Sequence, residues 1–408
     1  MNTKIVAVAI VAVLVVAAVG VGIYTLDKKD DDREVNVIGR VNTDGSGIFV
    51  KEGVDANAMV TIQNTEPTSG AYLGGNGTWV VFNKEAWGGL VIGTPGAATI
   101  QHVQLKEIAT LMDLKFTQYK QGQTTSADTL YYVPGVGTYA LFESTLKSTP
   151  ALAGSIMWEP QYSIALINGC QKVATTNEMF PGHTCCVVAS NHAYTSSHND
   201  ETVRFMAAYV ESVNRMTAAI AAGSGADYDK VYEVAREKVT MPTYMTDAEK
   251  NDAITRAFAL VNYTYGDNTG DDPLSKLKGD MADVANKMHD TGNVSKSISD
   301  LGFKSDAEYG EKLVDSSFLK SALSYDKKDS YEMANITVAV IGGDIHQLAI
   351  HYGMALGIFK EYGINITLSS QGGGPAVFTA ITNGEAQFGF IGAPPLTING
   401  INNGNITA

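Results

Sequence analysis

From residue 336 onward the chain repeats one local pattern three times: a β-rich strand, a glycine turn, then a helix with one apolar face. The first unit is a strand over 336–341, the turn Gly342-Gly343-Asp344, and a helix with Leu348, Tyr352, Ala355 and Phe359 on one side, stopped by Gly363. The second is a strand over 364–369, the turn Gln371-Gly372-Gly373-Gly374, and a helix opened by Pro375. That helix buries Val377, Ala380 and Ile381 and ends at Gly384. The third is a strand over 388–391 running through Gly392-Ala393-Pro394-Pro395 into another helix. A fourth unit lies upstream: a strand over 90–92, the turn Gly93-Thr94-Pro95-Gly96, and a helix with Ile100, Val103, Ile108, Leu111 and Met112 inward. Strands that alternate with helices in this way predict α/β layers around parallel sheets.

A length of 408 residues is enough for more than one hydrophobic core. With 45% apolar and 18% charged residues the composition is that of a globular protein. The net charge of -14 excludes nucleic acid and an anionic membrane surface as partners, because neither is attracted to such a field. A small anion remains possible where the local site is made of backbone N–H groups. Further helices are predicted over 207–222, 228–238 and 247–260, and residues 275–323 read as mostly helical and solvent-facing. Residues 324–334 form a charged linker whose Asp326-Lys327-Lys328-Asp329 echoes Asp27-Lys28-Lys29-Asp30 near the start.

Lys4 precedes an unbroken apolar run from Ile5 to Tyr24, followed by a strongly polar stretch over 27–34. About 20 apolar residues just span a hydrocarbon core, whereas a secretory apolar region is usually about 7–15. Two readings stand: an uncleaved membrane anchor over 1–26 with a tether over 27–34, or a removed signal peptide. Both place the rest of the chain outside the cytoplasm, at the cell surface or secreted. Cys170, Cys185 and Cys186 have no metal-ligand spacing. One disulfide from Cys170 to either neighbour is open, and Cys185-Cys186 reads better as buried strand. Asn76, Asn262, Asn293, Asn335, Asn365 and Asn405 open glycosylation sequons. Asp267, Asp271 and Asp272 do not have calcium-loop spacing and read as a solvated turn. No HExxH, GxSxG or phosphate-cradling loop with lysine occurs, so the expectation is no enzyme, no cofactor and no metal.

Residues 336–395, ending in FGFIGAPP, resemble the opening of the solute-binding proteins of ABC importers of the nitrate, alkanesulfonate and taurine group. VIGTPGAATIQHVQLKEI (91–108) resembles the start of that family's second lobe, IMWEPQYS (156–163) its Trp-acidic-Pro phrase, and LVNYTYG (260–266) its return strand. Residues 303–323 are similar to its C-terminal helices. The order is rotated, because the family's beginning stands here at the end. VNVIGRVNTDGSGIFV (35–50), which should follow the GAPP helix, stands directly after the tether. The resemblance therefore implies a bilobal, periplasmic-binding-protein-like (type II) α/β fold in circularly permuted order, its two lobes joined by hinge strands. Lobe one would comprise 35–85 and 335–408, with the helices of 262–323 packed on it and 324–334 as linker. Lobe two would be 86–261. The implied partners are a small anionic solute of sulfonate, taurine or nitrate type, an ABC permease with its ATPase, and the membrane through the N-terminal segment. A thiamin-precursor-type binder or enzyme of the same fold, and a ligand-sensing ectodomain, are the alternatives.

In open α/β sheets ligands bind outside the carboxyl ends of strands, where helix N-termini favour anions. Candidate ligand-binding residues are therefore Asp344, His346, Gly373, Gly374, Pro394, Thr94, Ala98 and Thr99. Asn42 and Thr43 follow a strand, and the resemblance adds Trp158 and Glu159 at a cleft wall. Bland roles compete: Asp344 as a helix cap, His346 as a solvated first-turn residue, the glycines as a flexible turn, Asn42 and Thr43 as caps, and Trp158 and Glu159 as core and surface.

Overall fold

The computed structural model describes residues 34–267 and 270–408. The apolar run over 5–24 and the tether up to Arg33 lie outside the described residues. Among the described residues no helix is long and apolar enough to cross a membrane.

Among the described residues fifteen strands occur in chain order. They are β1 Val35–Asp44, β2 Ser46–Val50, β3 Val60–Gln63, β4 Tyr72–Gly75, β5 Thr78–Phe82, β6 Val91–Gly93, β7 Lys115–Gln118 and β8 Thr129–Val133. They continue with β9 Leu152–Trp158, β10 Gln171–Thr175, β11 Thr184–Asn191, β12 Val261–Tyr263, β13 Ala334–Ile341, β14 Ile364–Gln371 and β15 Phe388–Gly392. They build a mixed α/β structure with two six-stranded sheets, in the orders β12-β1-β11-β15-β13-β14 and β10-β2-β9-β6-β8-β7, and a small sheet β3-β5-β4. The expectation of parallel strands holds in one half of each large sheet: β13 is parallel to β14 and β15, and β8 to β6 and β7, with β6 also parallel to β9. The other half of each sheet is antiparallel, with β11 between β1 and β15, and β2 between β9 and β10.

The three C-terminal units fold nearly as read. Helix Gly374–Thr382 has proline in its first turn and buries Val377, Ala380 and Ile381. Helix Ala393–Asn402 starts at the expected turn. The helix expected up to Gly363 is instead a 3-10 turn Ile345–Gln347, helix Leu348–Ala355 and helix Ile358–Glu361. Gly357 breaks it with φ +75°, a left-handed conformation that a helix interior cannot hold. Ala355 is consequently exposed, as is Leu111 at the end of helix Ile100–Leu111. Helix Ser275–Asp290 is not solvent-facing as expected: Leu277, Met281, Val284, Ala285 and Met288 are buried in the core of the first sheet.

Strand membership also departs from the expected division at 85/86 and 261/262. β2 belongs to the second sheet, and the core there includes Val80, Phe82 and Trp87 from residues 60–87. β11 and helix Asn199–Ala222 belong to the first, with Val187, Val188, Phe205 and Tyr209 in its core. The chain thus passes between the large sheets at Gly45 and again between β10 and β11. At the first passage Asp44 (φ +62°) and Gly45 (φ +91°) are both left-handed, so the strand direction turns within two residues.

Candidate functional site

Gly45 stands at the passage between the sheets, and its carbonyl collects two groups from opposite sides. The Glu159 N–H, just past β9, donates to it at 2.9 Å, and His346 Nε2 faces it at 3.3 Å. A side chain at Gly45 would strike His346, since an added Cβ lies 2.7 Å from Nε2. The other imidazole nitrogen, Nδ1, is 2.7 Å from Asp344 Oδ1, which also caps the short 3-10 turn by accepting from the His346 N–H at 3.0 Å. Both ring nitrogens therefore face acceptors, and only the imidazolium carries a proton for each. Burial alone would pull this histidine down, but the Asp344 carboxylate beside it, with the Gly45 carbonyl, outweighs it and holds the pKa at about 9.

Glu159 is wholly buried. Burial pushes its carboxyl up to about 7, although the Ser163 hydroxyl (2.8 Å) and N–H (3.2 Å) both donate to it. Tyr263 closes the group by donating to the Ile345 carbonyl at 2.9 Å. On the second-sheet side of the passage, Ser46 and Thr176 exchange two hydrogen bonds of 3.0 and 3.1 Å, and Gln101 donates to Ser46 Oγ at 2.9 Å.

The structure thus gathers Asp344, His346 and Glu159 around one carbonyl, and it corrects the bland readings of two of them. His346 is 2% exposed, so it is no solvated first-turn residue, and Glu159 is not on the surface. The Asp344 cap exists as read. Asn42 and Thr43 sit nearby on β1, both buried: Asn42 donates to the Asp44 carbonyl at 3.2 Å, and Thr43 receives Asn262 at 2.9 Å. Trp158 is half-buried opposite Ser46. The remaining candidates lie elsewhere. Gly374 and Pro394 are buried where helices Gly374–Thr382 and Ala393–Asn402 begin side by side; a Cβ on Gly374 would lie 2.6 Å from Pro395. Gly373 has open space around it. Thr94 is buried against His102 (3.2 Å), whose pKa burial and then Lys106 depress to about 4. Thr99 caps helix Ile100–Leu111, and Ala98 is half-buried beside it.

A cavity of about 350 Å³ lies between the elements of the two sheets, and none of the expected residues lines it. Ile100 and Phe180 face it from one side, Lys276, Asp280 and Lys287 from helix Ser275–Asp290, and His183 from the connection into β11. His183 Nδ1 is 3.3 Å from Asp44 Oδ1, and its Nε2 is buried without a hydrogen-bond partner. A second cavity, of about 420 Å³ and bounded by Lys51, Tyr139, Glu143 and Cys170, belongs to the second sheet alone.

Sequence reasoning missed Arg40. Its guanidinium is buried, pairing with Asp267 at 2.7 Å and Asp280 at 2.8 Å and bonding Thr184. Asp267 is therefore not part of a solvated turn: it is 2% exposed, and it also accepts the Lys276 N–H at 2.7 Å. A lone arginine in a strand of alternating apolar residues was the available signal, since a buried charge demands a partner. All three cysteines are free; Cys185 and Cys186 are buried strand residues, as read. Searches against protein-family models, curated proteins and solved structures returned no match to this chain.

Proposed function

We propose that this chain is the extracytoplasmic solute-binding subunit of an ABC-type importer. It would be tethered by its N-terminal segment, capture a small anionic organic solute of sulfonate, taurine or nitrate type, and hand it to a permease driven by its ATPase. In this reading each large sheet is the centre of one lobe, the passages at Gly45 and between β10 and β11 are the hinges, and the chain order is circularly permuted. It is not an enzyme.

One observation carries the proposal: β13, β14 and β15, from the segment that resembles the family's opening, share a sheet with β1, which directly follows the tether. The permutation gains support where the rotated order would rejoin, because Asn405 donates a hydrogen bond to the Glu34 carboxylate. Room for a solute comes from the cavity of about 350 Å³ between helix Ser275–Asp290 and the start of helix Ile100–Leu111, within the roughly 300–1,000 Å³ usual for small-molecule sites. The adjacent starts of helices Gly374–Thr382 and Ala393–Asn402 do not line this cavity; they favour an anion only where lobe closure brings it to them, and each contributes only about 0.3–1 kcal/mol when exposed. Micromolar affinity needs about 8 kcal/mol, so the solute must be enclosed by lobe closure.

The test is a calorimetric and tryptophan-fluorescence titration with sulfonates, carboxylates, nitrate and neutral amines, with mass-spectrometric analysis of the solute afterwards. Saturable 1:1 binding of an anion, recovered unchanged, is expected. Chemical turnover of a solute, or indifference to the whole panel, would overturn the reading.

A further inference from the structure

Strand β11 does not run evenly past β1. Asn42 lies opposite Cys186 and Thr43 opposite Thr184, so one step on β1 matches two on β11 and Cys185 is left without a partner. This is a bulge, and a bulge interrupts the alternation that sends neighbouring strand residues to opposite faces. As a result the two sulfurs lie 3.7 Å apart, both buried.

That spacing restricts what the pair can do. It is far beyond the S–S bond of about 2.05 Å, and both thiols are free. It falls within the range of roughly 3–4 Å that two sulfurs subtend when both bond one shared centre at about 2.3 Å. A dication such as zinc wants three or four protein ligands, and among the described residues no group of three or more His, Cys, Asp or Glu is placed to hold a metal ion. A centre satisfied by two sulfurs and one oxygen fits better.

The surroundings supply partners for such an oxygen. Asn42 faces Cys186 directly and therefore shares its face of the sheet; its Oδ1 is buried and unpartnered. Tyr209 is wholly buried, its hydroxyl also lacks a partner, and it lies within electrostatic reach of Cys186. Polar atoms buried in this way cost stability unless something satisfies them.

We propose that Cys185 and Cys186 form a dithiol capture site for a neutral trivalent thiophilic oxyacid of the arsenous acid class. Each thiol displaces one hydroxyl of the acid: two arsenic–oxygen bonds break, two arsenic–sulfur bonds form, and the two thiol protons leave with the hydroxyls as two waters. Nothing is oxidised or reduced. The third hydroxyl stays on the arsenic, donates to Asn42 Oδ1 and accepts from the Tyr209 hydroxyl. Because the acid is uncharged, it enters the core without carrying an ion through it.

The probe is sodium arsenite added to the full chain, read by native mass spectrometry and arsenic X-ray absorption. One arsenic per chain, with two sulfur neighbours and one oxygen, is expected. Cys185→Ala and Cys186→Ala should each raise the half-saturating arsenite concentration about 100-fold or more, since the second bond is intramolecular, whereas Cys170→Ala should leave it unchanged. Folding of each variant is checked by near-ultraviolet circular dichroism. The wild-type sulfur count decides the matter even if a variant fails to fold. No adduct on the folded wild type, a count of one or three sulfurs, undiminished capture by either single variant, or loss with Cys170→Ala would overturn the assignment.

Discussion

The two large sheets are assembled in opposite ways. Every strand of the second comes from residues 46–175, so its pairings close over short stretches of chain. The first draws on 35–44, 184–191, 261–263 and 334–392, and at its centre Cys186 must find Gly392. Loop-closure entropy grows only slowly with length, so the distant pairing is thermodynamically tolerable, but it is late and needs specific fasteners. The first sheet has them: Phe205 stacks on Phe388 with ring centroids 4.1 Å apart, and Arg40 ties β1 to Asp267 and to helix Ser275–Asp290. In the second sheet's body the buried contacts Thr94–His102, Ser155–Gly93 and Gln101–Ser46 join neutral groups instead. The lesson is that a buried ion pair, that of Arg40, fastens a strand whose partners stand more than 200 residues away.

Arg40→Ala attacks that contrast most strongly. It leaves the Asp267 carboxylate buried and unpaired, and destabilisation of about 3–5 kcal/mol is expected. All three tryptophans, Trp79, Trp87 and Trp158, belong to residues 46–175, so fluorescence reports the second sheet while far-ultraviolet circular dichroism reports both. The bonds around Gly45 predict that both signals shift together in urea. A circular dichroism transition that moves while fluorescence stays would show that the sheets unfold separately.

Glu159→Gln probes the passage between the sheets. The folded chain holds the Glu159 proton up to about pH 7, whereas the unfolded chain releases it near 4.5. The associated stability is complete below about pH 4.5 and is lost as pH rises through 7. The wild type should therefore lose on the order of 2–3 kcal/mol across that window relative to the glutamine variant, measured as urea midpoints at several pH values. Parallel pH profiles would show that the carboxyl is ionised in the fold.

The smallest effect is expected at Lys287, which reaches from helix Ser275–Asp290 to Glu107 on helix Ile100–Leu111 at 2.9 Å. Both side chains are about 40% exposed, so Lys287→Ala should cost less than about 1 kcal/mol and the difference should vanish in high salt. A larger, salt-independent loss would mean that this pair, and not the backbone passages, holds the helices together.

Much of this could be read in the residues themselves. The helix Asp247–Leu260 was legible to its ends because Thr246 and Glu249 form a reciprocal capping box. The three C-terminal units were legible because period and punctuation agree, with glycine or proline at each turn. Asp344, His346 and Glu159 were singled out, but their meeting at Gly45 was not visible. Asp267 was misread because its partner stands at Arg40, and no local rule connects the two.

What the sequence determined by itself was the strand-turn-helix units, several further helices, their apolar faces and the α/β class, since these follow from nearest-neighbour sterics and from the period at which side chains return to one face. Only the tertiary structure decided which sheet each strand joins, that a bulge turns Cys185 toward Cys186, and which charges are buried together. Hydrophobic periodicity states that a face must be covered but not by what, and the identity of the cover is settled only when distant segments compete for the same surface.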